Sequence, residues 1–425
     1  MQKFAKALVV AVLGWQVRRL YKKNNFKVVA VAGSLGKTST KMAIAKVLKQ
    51  KYRVQFQDGN YNDIVTVPLI FFGQPLPSLF NPLGWLRVFW NNERQINNKY
   101  PYDIVVVEVG TDGPGQIEKY ARYLKADIAI LTGIAPEHME FFADLDAVAE
   151  EENEITSFSQ KIIANKDIID EKYMAKLEKQ PKTYAIKQPA DIRLTNVQFD
   201  GFESSFSVQK NGSLFLKATH ELIAEPLLYA AAGAVAVADE LNLTANEILA
   251  GLKDIRPIPG RMQRLDGLNG SVILDDSYNA SPPAVKAALD TLYRLPAEKK
   301  IAILGNMNEL GKYSEAAHKE IGNYCDPKKV ELVITIGPDA EKFLGPAAEA
   351  KGCKVAEFDN PYSAGEYLKP LLGKGTLVLA KGSQNGVFAE ETVKLLLADP
   401  NDAKKLVRQS EYWLKRKVAS FKINI

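Results

Sequence analysis

The segment from Lys27 to Lys49 constrains the fold of this chain more than any other part of its sequence. A short apolar run, Lys27–Ala32, is rich in β-branched residues and predicts a strand. The sequence Gly33–Ser39 follows at once, and the pattern of Thr38–Lys49 then predicts a helix. Glycines between a strand and a helix let backbone N–H groups close around phosphate oxygens, and the helix N-terminus adds a partial positive charge. The segment therefore predicts a phosphate-binding loop.

The loop reads Gly33-Ser34-Leu35-Gly36-Lys37-Thr38-Ser39. This is a short form of the motif, because Val31 stands where the longer form has its first glycine. We expect Lys37 to reach the β- and γ-phosphates of a nucleoside triphosphate, and Thr38 to offer its hydroxyl to Mg²⁺. The plain alternative is a glycine turn that precedes Lys-Thr by chance. A phosphate loop alone does not distinguish kinases, GTPases, motors and ligases.

Apolar runs alternate with helical patterns along most of the chain, which predicts a mostly parallel sheet with helices on both faces. Further strands are predicted at residues 104–107, 128–131, 271–274, 300–304, 332–336 and 376–380. Between about 183 and 220, short alternating segments and the dipeptide Asn211-Gly212 predict β-hairpins. The alanine-rich segment 227–241 then predicts a helix.

The sequence Arg256-Pro257-Ile258-Pro259-Gly260 is typical of a domain boundary. We therefore expect an α/β protein with three parts. Residues 1–25 are predicted to form an N-terminal helix, and residues 26–258 a phosphate-loop domain with a mostly parallel sheet and a small β-hairpin region. Residues 259–425 are predicted to form a Rossmann-like α/β domain, whose last segment, 403–417, predicts a basic helix.

The N-terminal apolar stretch runs for about a dozen residues, from Phe4 to Trp15, and contains Lys6. A membrane-spanning helix needs about 20 apolar residues, and no small-residue cleavage site follows as in a signal peptide. Two interpretations stay open. The helix packs against the first domain, or it is a basic interfacial helix that rests on a membrane surface.

Composition narrows the classes of partner. The two cysteines, Cys325 and Cys353, lack C-x-x-C spacing, which favours a reducing cytoplasm over a disulfide framework. The net charge of +5 is diffuse, so it favours anionic small molecules at least as well as nucleic acid. We expect a cytoplasmic, monomeric protein that acts on small molecules and binds no nucleic acid.

Polar residues follow several predicted strands, where the carboxyl ends of parallel strands form a ligand crevice. Glu108 offers carboxylate oxygens for Mg²⁺, and His138 offers a metal ligand or a positioning group. In the second domain, Asp275–Pro282 ends one strand and Lys381–Ser383 another, and a lysine there suits a carboxylate or phosphate. For each of these residues the alternative is a loop residue that faces solvent. The same alternative applies to Arg261, which follows the predicted domain boundary at Gly260.

Together these segments resemble the Mur ligase family, and within it the MurF branch, which joins D-alanyl-D-alanine to a UDP-N-acetylmuramoyl-tripeptide. The matching pieces run in order from about residue 27 to 395. Two pieces are specific to that branch, Asp275–Pro282 and Met307–Gly311. The others are Gly33–Ser39, Gly59–Asn62 with Val67-Pro68, Glu108 to Gly115, His138–Glu140, Gly260–Gln263, His318 and Lys381–Ser383.

The resemblance implies a ligase that uses ATP to activate a carboxylate as an acyl phosphate and then couples it to an amine. The implied catalytic residues are Lys37, Glu108, His138, Glu152 and Arg261. The implied ATP contacts are Gly33, Ser34, Leu35, Gly36, Lys37, Thr38, Ser39, Arg261, Asp276 and Asn279. The implied Mg²⁺ ligands are Thr38, Glu108, His138 and Glu152. The implied substrate contacts are Asn60, Asn62, Asn306, Glu309, Lys381 and Ser383.

The sequence departs from the family pattern in several places. A lead-in of about 25 residues precedes the first predicted strand, where the MurF branch carries a domain of about a hundred residues that grips the UDP-sugar. Glu152 stands where the family has a lysine that CO₂ carbamylates for Mg²⁺ binding, so we hypothesise that Glu152 supplies the carboxylate directly. A loop glycine is replaced by Thr66, and the Gly-x-His piece before the alanine-rich helix reads Ala224-Glu225-Pro226.

Two other functions stay open. Folylpolyglutamate synthases likewise lack the UDP-sugar domain and use the same ATP chemistry, although the piece Asp275–Asn279 argues against them. A non-catalytic homologue that binds nucleotide and serves as a partner protein is the other alternative.

Overall fold

Two β-sheets, each flanked by helices, make up the protein in a computed structural model that describes residues 2–59 and 61–421. The helices are α1 (Gln2–Lys23), α2 (Lys37–Leu48), α3 (Thr66–Phe72), α4 (Pro82–Asn97), α5 (Leu145–Asn153), α6 (Glu171–Met174), α7 (Glu225–Glu240), α8 (Ala245–Lys253), α9 (Pro282–Arg294), α10 (Ser314–Tyr324), α11 (Gly345–Ala350), α12 (Pro361–Leu368), α13 (Ala389–Leu396) and α14 (Glu411–Phe421).

The strands of the first sheet are β1 (Lys27–Ala32), β2 (Val54–Gln55), β3 (Ile104–Glu108), β4 (Ala126–Leu131), β5 (Ser159–Asn165), β6 (Lys182–Ala185), β7 (Ile192–Asp200), β8 (Glu203–Lys210) and β9 (Ser213–His220). Those of the second are β10 (Gln263–Asp266), β11 (Val272–Asp276), β12 (Lys299–Gly305), β13 (Leu332–Ile336), β14 (Val355–Phe358) and β15 (Thr376–Lys381).

The first sheet has the order β2-β3-β1-β4-β5-β6-β7-β8-β9. Strands from β2 to β7 pair in parallel, and β7, β8 and β9 form antiparallel hairpins. The expected mostly parallel sheet with a hairpin region is therefore confirmed. Because β1 pairs with both β3 and β4, the loops that follow these three strands meet at one edge of the sheet.

Alternate residues of β1 face two different cores. Val29 and Val31 pack with α2 and α7 on one face, whereas Val28 and Ala30 pack with α1 and α3 on the other. A strand that is buried on both faces must be apolar throughout, which explains the continuous Lys27–Ala32 run.

The second sheet has the order β10-β11-β15-β12-β13-β14, and its strands are parallel apart from the edge strand β10. Helices α9 and α10 pack with Leu274 and Leu379 on one face, while α12 and α13 pack with Ile273 and Val378 on the other. This doubly covered parallel sheet confirms the expected Rossmann-like α/β arrangement. We call the parts around the two sheets the first lobe and the second lobe; the exact domain limits at residues 25 and 258 stay predictions.

The expected continuous helix at 403–417 is wrong. A 3₁₀ turn spans Pro400–Lys405, an irregular segment follows, and α14 begins only at Glu411. The break lies where Arg408 adopts a φ of 55° and turns its guanidinium into the second lobe. There it pairs with Glu390 at 2.7 Å and donates to the carbonyl of Ser277, also at 2.7 Å. A buried ion pair therefore overrides the local helical preference of this basic segment.

Helix α1 packs against the first lobe through one face. Leu13, Val17 and Leu20 are fully buried, and α1 contacts both α3 and α4. One face of α1 therefore packs on the first lobe, while Leu8 and Trp15 on another face of α1 are exposed. Among the helices that the structure describes, none is long and apolar enough to cross a membrane.

Replacing Arg408 by alanine is expected to lower the free energy of unfolding by about 3–5 kcal/mol, because it leaves a buried carboxylate with one partner fewer. Urea denaturation followed by circular dichroism measures this change. Lys415→Ala is the control, since Lys415 forms an exposed pair with Glu411 and should change stability by less than about 1 kcal/mol. Equal effects of the two substitutions would contradict the buried pair.

Candidate functional site

The phosphate loop connects β1 to α2 as expected. Gly33 has a φ of 119°, and a Cβ atom there would lie 2.5 Å from the Thr132 hydroxyl oxygen, so the position requires glycine. Gly36 has a φ of 74° and precedes the first turn of α2, whose N–H groups therefore open toward the loop. This geometry presents backbone donors and a helix N-terminus to an anion.

Lys37 lies among carboxylates at the base of this loop. Its Nζ donates to the Gly33 carbonyl at 2.5 Å and lies 3.2 Å from Glu137 Oε2. Burial would lower the pKa of Lys37, but Glu137, Glu152 and Glu108 outweigh it and hold the pKa above its ordinary value. The amine is therefore a firm positive charge at neutral pH, as a phosphate-binding lysine must be.

Thr38 and Glu108 bring two oxygen atoms together beside the loop. Thr38 Oγ1 donates to Glu108 Oε1 at 3.1 Å, and Asn62 Nδ2 donates to the same oxygen at 3.3 Å. Adjacent ligands of octahedral Mg²⁺ lie about 3 Å apart, since each metal–oxygen bond is about 2.1 Å. The Thr38–Glu108 pair therefore fits two neighbouring positions of a Mg²⁺ ion.

The rest of such a coordination shell has to come from phosphate and water. Within residues 2–59 and 61–421, no group of three or more histidine, cysteine, aspartate or glutamate side chains is arranged to hold a metal. Mg²⁺ commonly binds in this way, through one or two protein oxygens plus substrate phosphates.

Lys41 is the second lysine of the site. Its Nζ lies 3.2 Å from Glu108 Oε2 and donates to the carbonyl of Gly59 at 2.9 Å. Both side chains of the Lys41–Glu108 pair are buried, at 0% and 1% exposure. Lys41 follows Thr38 by three residues on α2, so the two side chains lie on the same face of the helix.

Glu152 on α5 lies behind the phosphate loop. Its Oε2 accepts a hydrogen bond from the Gly33 N–H at 2.7 Å, and the side chain is fully buried. Burial raises the pKa of Glu152 to about 7, with Glu137 adding to the rise and Lys37 and the Gly33 N–H opposing it. The carboxylate of the neighbouring Glu151 instead accepts hydrogen bonds from the backbone N–H groups of residues 115–117 and fixes that loop.

His138 joins the two lobes. Its Nδ1 lies 2.6 Å from Glu309 Oε2 of the second lobe. The Glu140 N–H donates to the Glu309 carbonyl at 3.1 Å beside it. Burial lowers the pKa of His138, but Glu309 and Glu137 outweigh it and raise the pKa above its ordinary value.

The second lobe faces the loop with one arginine and one lysine. Arg261 lies over the ring of Tyr278 at 4.3 Å, and its buried Nε has no hydrogen-bond partner among the described residues. Lys381 is paired with Asp276 at 2.8 Å and donates to the Asn279 carbonyl at 2.7 Å. Asp276 also accepts from the Met262 N–H at 3.0 Å, so these residues are held by one another.

A cavity of about 650 Å³ separates these two walls. The predicted residues that line it are Ser34, Leu35, Gly36, Lys37, Thr38, Ser39, Asn62, Glu108, His138, Arg261, Asp276, Asn279, Glu309 and Lys381. The structure therefore brings most of the predicted site to one cleft between the lobes.

Four predicted residues do not line the cavity, and one lies outside the described residues. Gly33 is the first residue of the loop, and Glu152 lies behind it, where it accepts the hydrogen bond of the Gly33 N–H. Asn306 Oδ1 accepts from the Ala340 N–H at 2.8 Å, and Ser383 Oγ accepts from the Asn308 N–H at 3.0 Å, so both side chains support the loop around Glu309. Asn60 is the residue outside the described part of the chain.

Comparison with known proteins agrees with this geometry. Residues 31–238 match the Mur ligase middle domain, and residues 260–384 match the Mur ligase glutamate ligase domain. The chain belongs to the Mur ligase family.

Relatives of this Mur ligase include the UDP-N-acetylmuramoyl-tripeptide–D-alanyl-D-alanine ligase of Bacillus subtilis, 27% identical over 88% of this chain and 76% of the relative. The enzyme of the same name from Escherichia coli is 28% identical over 87% of this chain and 76% of its own length. The MurF ligase of Thermotoga maritima, solved in complex with ADP, superposes with a TM-score of 0.73 and 26% identity, covering 91% and 83% of the two chains. A folylpolyglutamate synthase from Mycobacterium tuberculosis shares the fold, with a TM-score of 0.66 and 18% identity, over 93% and 95%.

Sequence reasoning missed several residues of this Mur ligase's cleft. Glu137 precedes His138 directly and lines the cavity beside Lys37, and Tyr278 supports Arg261. Lys41 could have been found from its helical spacing to Thr38, because a lysine on that face must meet an acidic partner once it is buried. No local sequence pattern predicts the role of Glu137, because its contact with Lys37 depends on the pairing of β1 with β4.

Glu108→Gln is expected to destabilise the protein by about 3–5 kcal/mol, because it leaves the Lys41 ammonium buried beside a neutral amide. The double variant Glu108→Gln/Lys41→Met removes both charges and should recover most of that loss. Urea denaturation without Mg²⁺ measures both. A double variant that is no more stable than Glu108→Gln would contradict the pair as described.

Proposed function

We propose that this protein is an ATP-dependent, ADP-forming peptide ligase of cell-wall precursor synthesis. The observation that carries the proposal is the cleft in which Lys37, Thr38 and Glu108 of one lobe face Arg261 and Lys381 of the other. The names of the relatives support the same chemistry, with a muramoyl-peptide-like acceptor and an amine such as D-alanyl-D-alanine. The protein acts on these small molecules in the cytoplasm as a monomer.

The chemical problem is that a carboxylate and an amine do not condense at neutral pH, because both are charged and hydroxide is a poor leaving group. In the first step a carboxylate oxygen of the acceptor attacks the γ-phosphorus of ATP, the bond to the β–γ bridging oxygen breaks, and acyl phosphate and ADP form. Lys37 and the loop N–H groups neutralise the charge that spreads over the transferring oxygens.

Thr38 and Glu108 would hold Mg²⁺, with His138 as a candidate ligand of a second ion. When bound there, Mg²⁺ would supply positive charge that offsets the negative charge of the phosphate oxygens. Lys41 pairs with Glu108 at 3.2 Å and holds that carboxylate beside the loop, while Lys41 itself lies outside the residues that line the cavity.

In the second step the free amine attacks the acyl carbon and phosphate leaves. The acyl phosphate has to be shielded from water, which requires that both lobes enclose it. The His138–Glu309 contact holds the lobes together at this edge of the cleft. The loop Asn306–Gly311 and Lys381 stand on the side where the amine would enter, and Arg261 would contact phosphate from the second lobe.

Glu152 is proposed to serve in place of a carbamylated lysine. Its carboxylate lies at the loop backbone and faces the charge of Lys37. In its ionised form Glu152 would supply directly the negative charge that the family makes from lysine and CO₂.

Release of ADP should require acceptor and amine together, measured with a coupled assay across UDP-linked and lipid-linked muramoyl peptides with D-alanyl-D-alanine. Lys37→Met should lower kcat by about a hundredfold or more, because the transferring phosphoryl loses its cation. Lys46→Met, in the last turn of α2 at the end of the helix away from the loop, is the control. ADP release that ignores both substrates, or turnover only with folate and glutamate, would contradict the proposal.

Glu152→Ala is expected to raise the Mg²⁺ concentration needed for half-maximal activity, whereas Glu152→Lys should recover activity only when bicarbonate is present. Titration of Mg²⁺ and bicarbonate in the same coupled assay measures both effects. Unchanged Mg²⁺ dependence in Glu152→Ala would refute this role.

A further inference from the structure

Helix α4 and the segment before it expose large apolar side chains on one side of the first lobe. Phe80, Leu83, Leu86 and Trp90 are between 61% and 77% exposed. Leu83, Leu86 and Trp90 are spaced three and four residues apart, so they share one face of α4, while Trp85 and Val88 on the other side are buried. Isolated exposed leucines are ordinary, but a contiguous apolar face marks an interaction surface.

Helix α1 extends this surface. Gln16 donates to the Phe89 carbonyl at 2.9 Å, Arg19 pairs with Glu93 at 2.6 Å, and Lys23 bonds Asn97 at 2.6 Å, so the two helices run in parallel. The exposed Leu8 and Trp15 lie on the α1 face that also carries Arg19. We call Leu8, Trp15, Phe80, Leu83, Leu86 and Trp90 the apolar face.

The charged residues of the two helices that carry the apolar face are mostly basic. Helix α1 contains six lysines and arginines and α4 two, while Glu93 is the one acid of the two helices. Glu93 is already paired with Arg19. Two cations lie over indole rings of the face itself, Arg19 over Trp15 at 4.4 Å and Arg94 over Trp90 at 5.1 Å. The surface therefore combines apolar side chains with uncompensated positive charge.

We propose that the apolar face docks on the surface of an anionic lipid bilayer. Leucine, phenylalanine and tryptophan side chains would enter the boundary between headgroups and acyl chains, while Arg87, Arg94 and the cations of α1 pair with lipid phosphates. Arginine and lysine suit this boundary, because their stems lie along apolar surface while their charged ends reach the headgroups. A protein partner would have to match both the apolar residues and the excess of cations.

The fold links the apolar face to the cleft through one short helix. Helix α3 begins at Thr66, three residues after Asp63 in the cavity wall, and ends at Phe72, shortly before the exposed segment. Its residues are buried in the first lobe, so it is a rigid connection. Docking would therefore hold the cleft in a defined orientation to the lipid surface.

The test is co-sedimentation of the full chain with vesicles of phosphatidylglycerol and phosphatidylcholine, and with vesicles of phosphatidylcholine alone. Binding is expected on the anionic vesicles, with a blue shift of tryptophan fluorescence. Leu83→Ser/Trp90→Ser should weaken that binding about tenfold or more, because both side chains lose their place in the lipid boundary. The matched control is Leu214→Ser/Tyr412→Ser, which removes two side chains of 60% and 65% exposure elsewhere on the protein.

The charge component is tested separately with Arg87→Glu/Arg94→Glu. This variant should also lose binding to anionic vesicles, and raising the salt concentration should weaken binding of the unsubstituted protein. Lys217→Glu/Lys415→Glu is its control, with the same change in net charge at exposed positions outside the two helices. Thermal unfolding and ATP binding of every variant show that the fold is retained.

Absence of vesicle binding by the unsubstituted protein would overturn the proposal. Equal losses of vesicle binding in a test variant and in its control variant would also overturn it. Sedimentation velocity provides the remaining comparison, since a dimer that dissociates on Leu83→Ser/Trp90→Ser, without vesicle binding, would show that the face joins two copies of the chain. None of these measurements requires turnover, so they are independent of the proposed ligase activity.

Discussion

The site depends on the ammonium group of Lys37 and the carboxylates around it. Lys37 lies against Glu137 and close to Glu108 and Glu152, and these acids hold its pKa above the ordinary value despite burial. The acids in turn differ in their own environments, since burial raises the pKa of Glu152 to about 7 while Glu108 is paired with Lys41. Such a cluster is costly for a fold unless its charges are paired, and strongly perturbed groups of this kind gather at functional sites. A triphosphate would bring the negative charge that Lys37 and the loop N–H groups are arranged to receive.

The parallel sheets explain how distant parts of the sequence reach this point. Because β1 lies between β3 and β4, the residues after these strands meet at one edge, and Glu108 pairs in register with Val31 at the end of β1. The second sheet repeats the arrangement, with Asp276 and Lys381 side by side at the ends of β11 and β15. His138 and Glu309 then join the two edges across the cleft.

Much of this organisation could be predicted from the sequence, because strands buried on both faces are apolar runs and the phosphate loop has strict backbone needs. The backbone requirement of the loop is clear at Gly33, where no side chain would fit beside Thr132. What could not be predicted depends on contacts between segments far apart in the chain. Arg408 breaks an otherwise helical segment to reach Glu390, and Glu137 meets Lys37 only after β1 and β4 pair. The family resemblance implied that Asn306 and Ser383 contact substrate, whereas their side chains accept hydrogen bonds from the backbone N–H groups of Ala340 and Asn308.

The central claim is that Lys37, Glu108 and His138 serve one triphosphate and its metal ions in the cleft between the lobes. A crystal structure of the protein with Mg²⁺ and a non-hydrolysable ATP analogue tests it most directly. The account predicts the γ-phosphate within hydrogen-bond distance of Lys37 Nζ, and a Mg²⁺ ion about 2.1 Å from Thr38 Oγ1 and from a Glu108 carboxylate oxygen. A nucleotide bound elsewhere, or a metal ion that contacts neither residue, would contradict it.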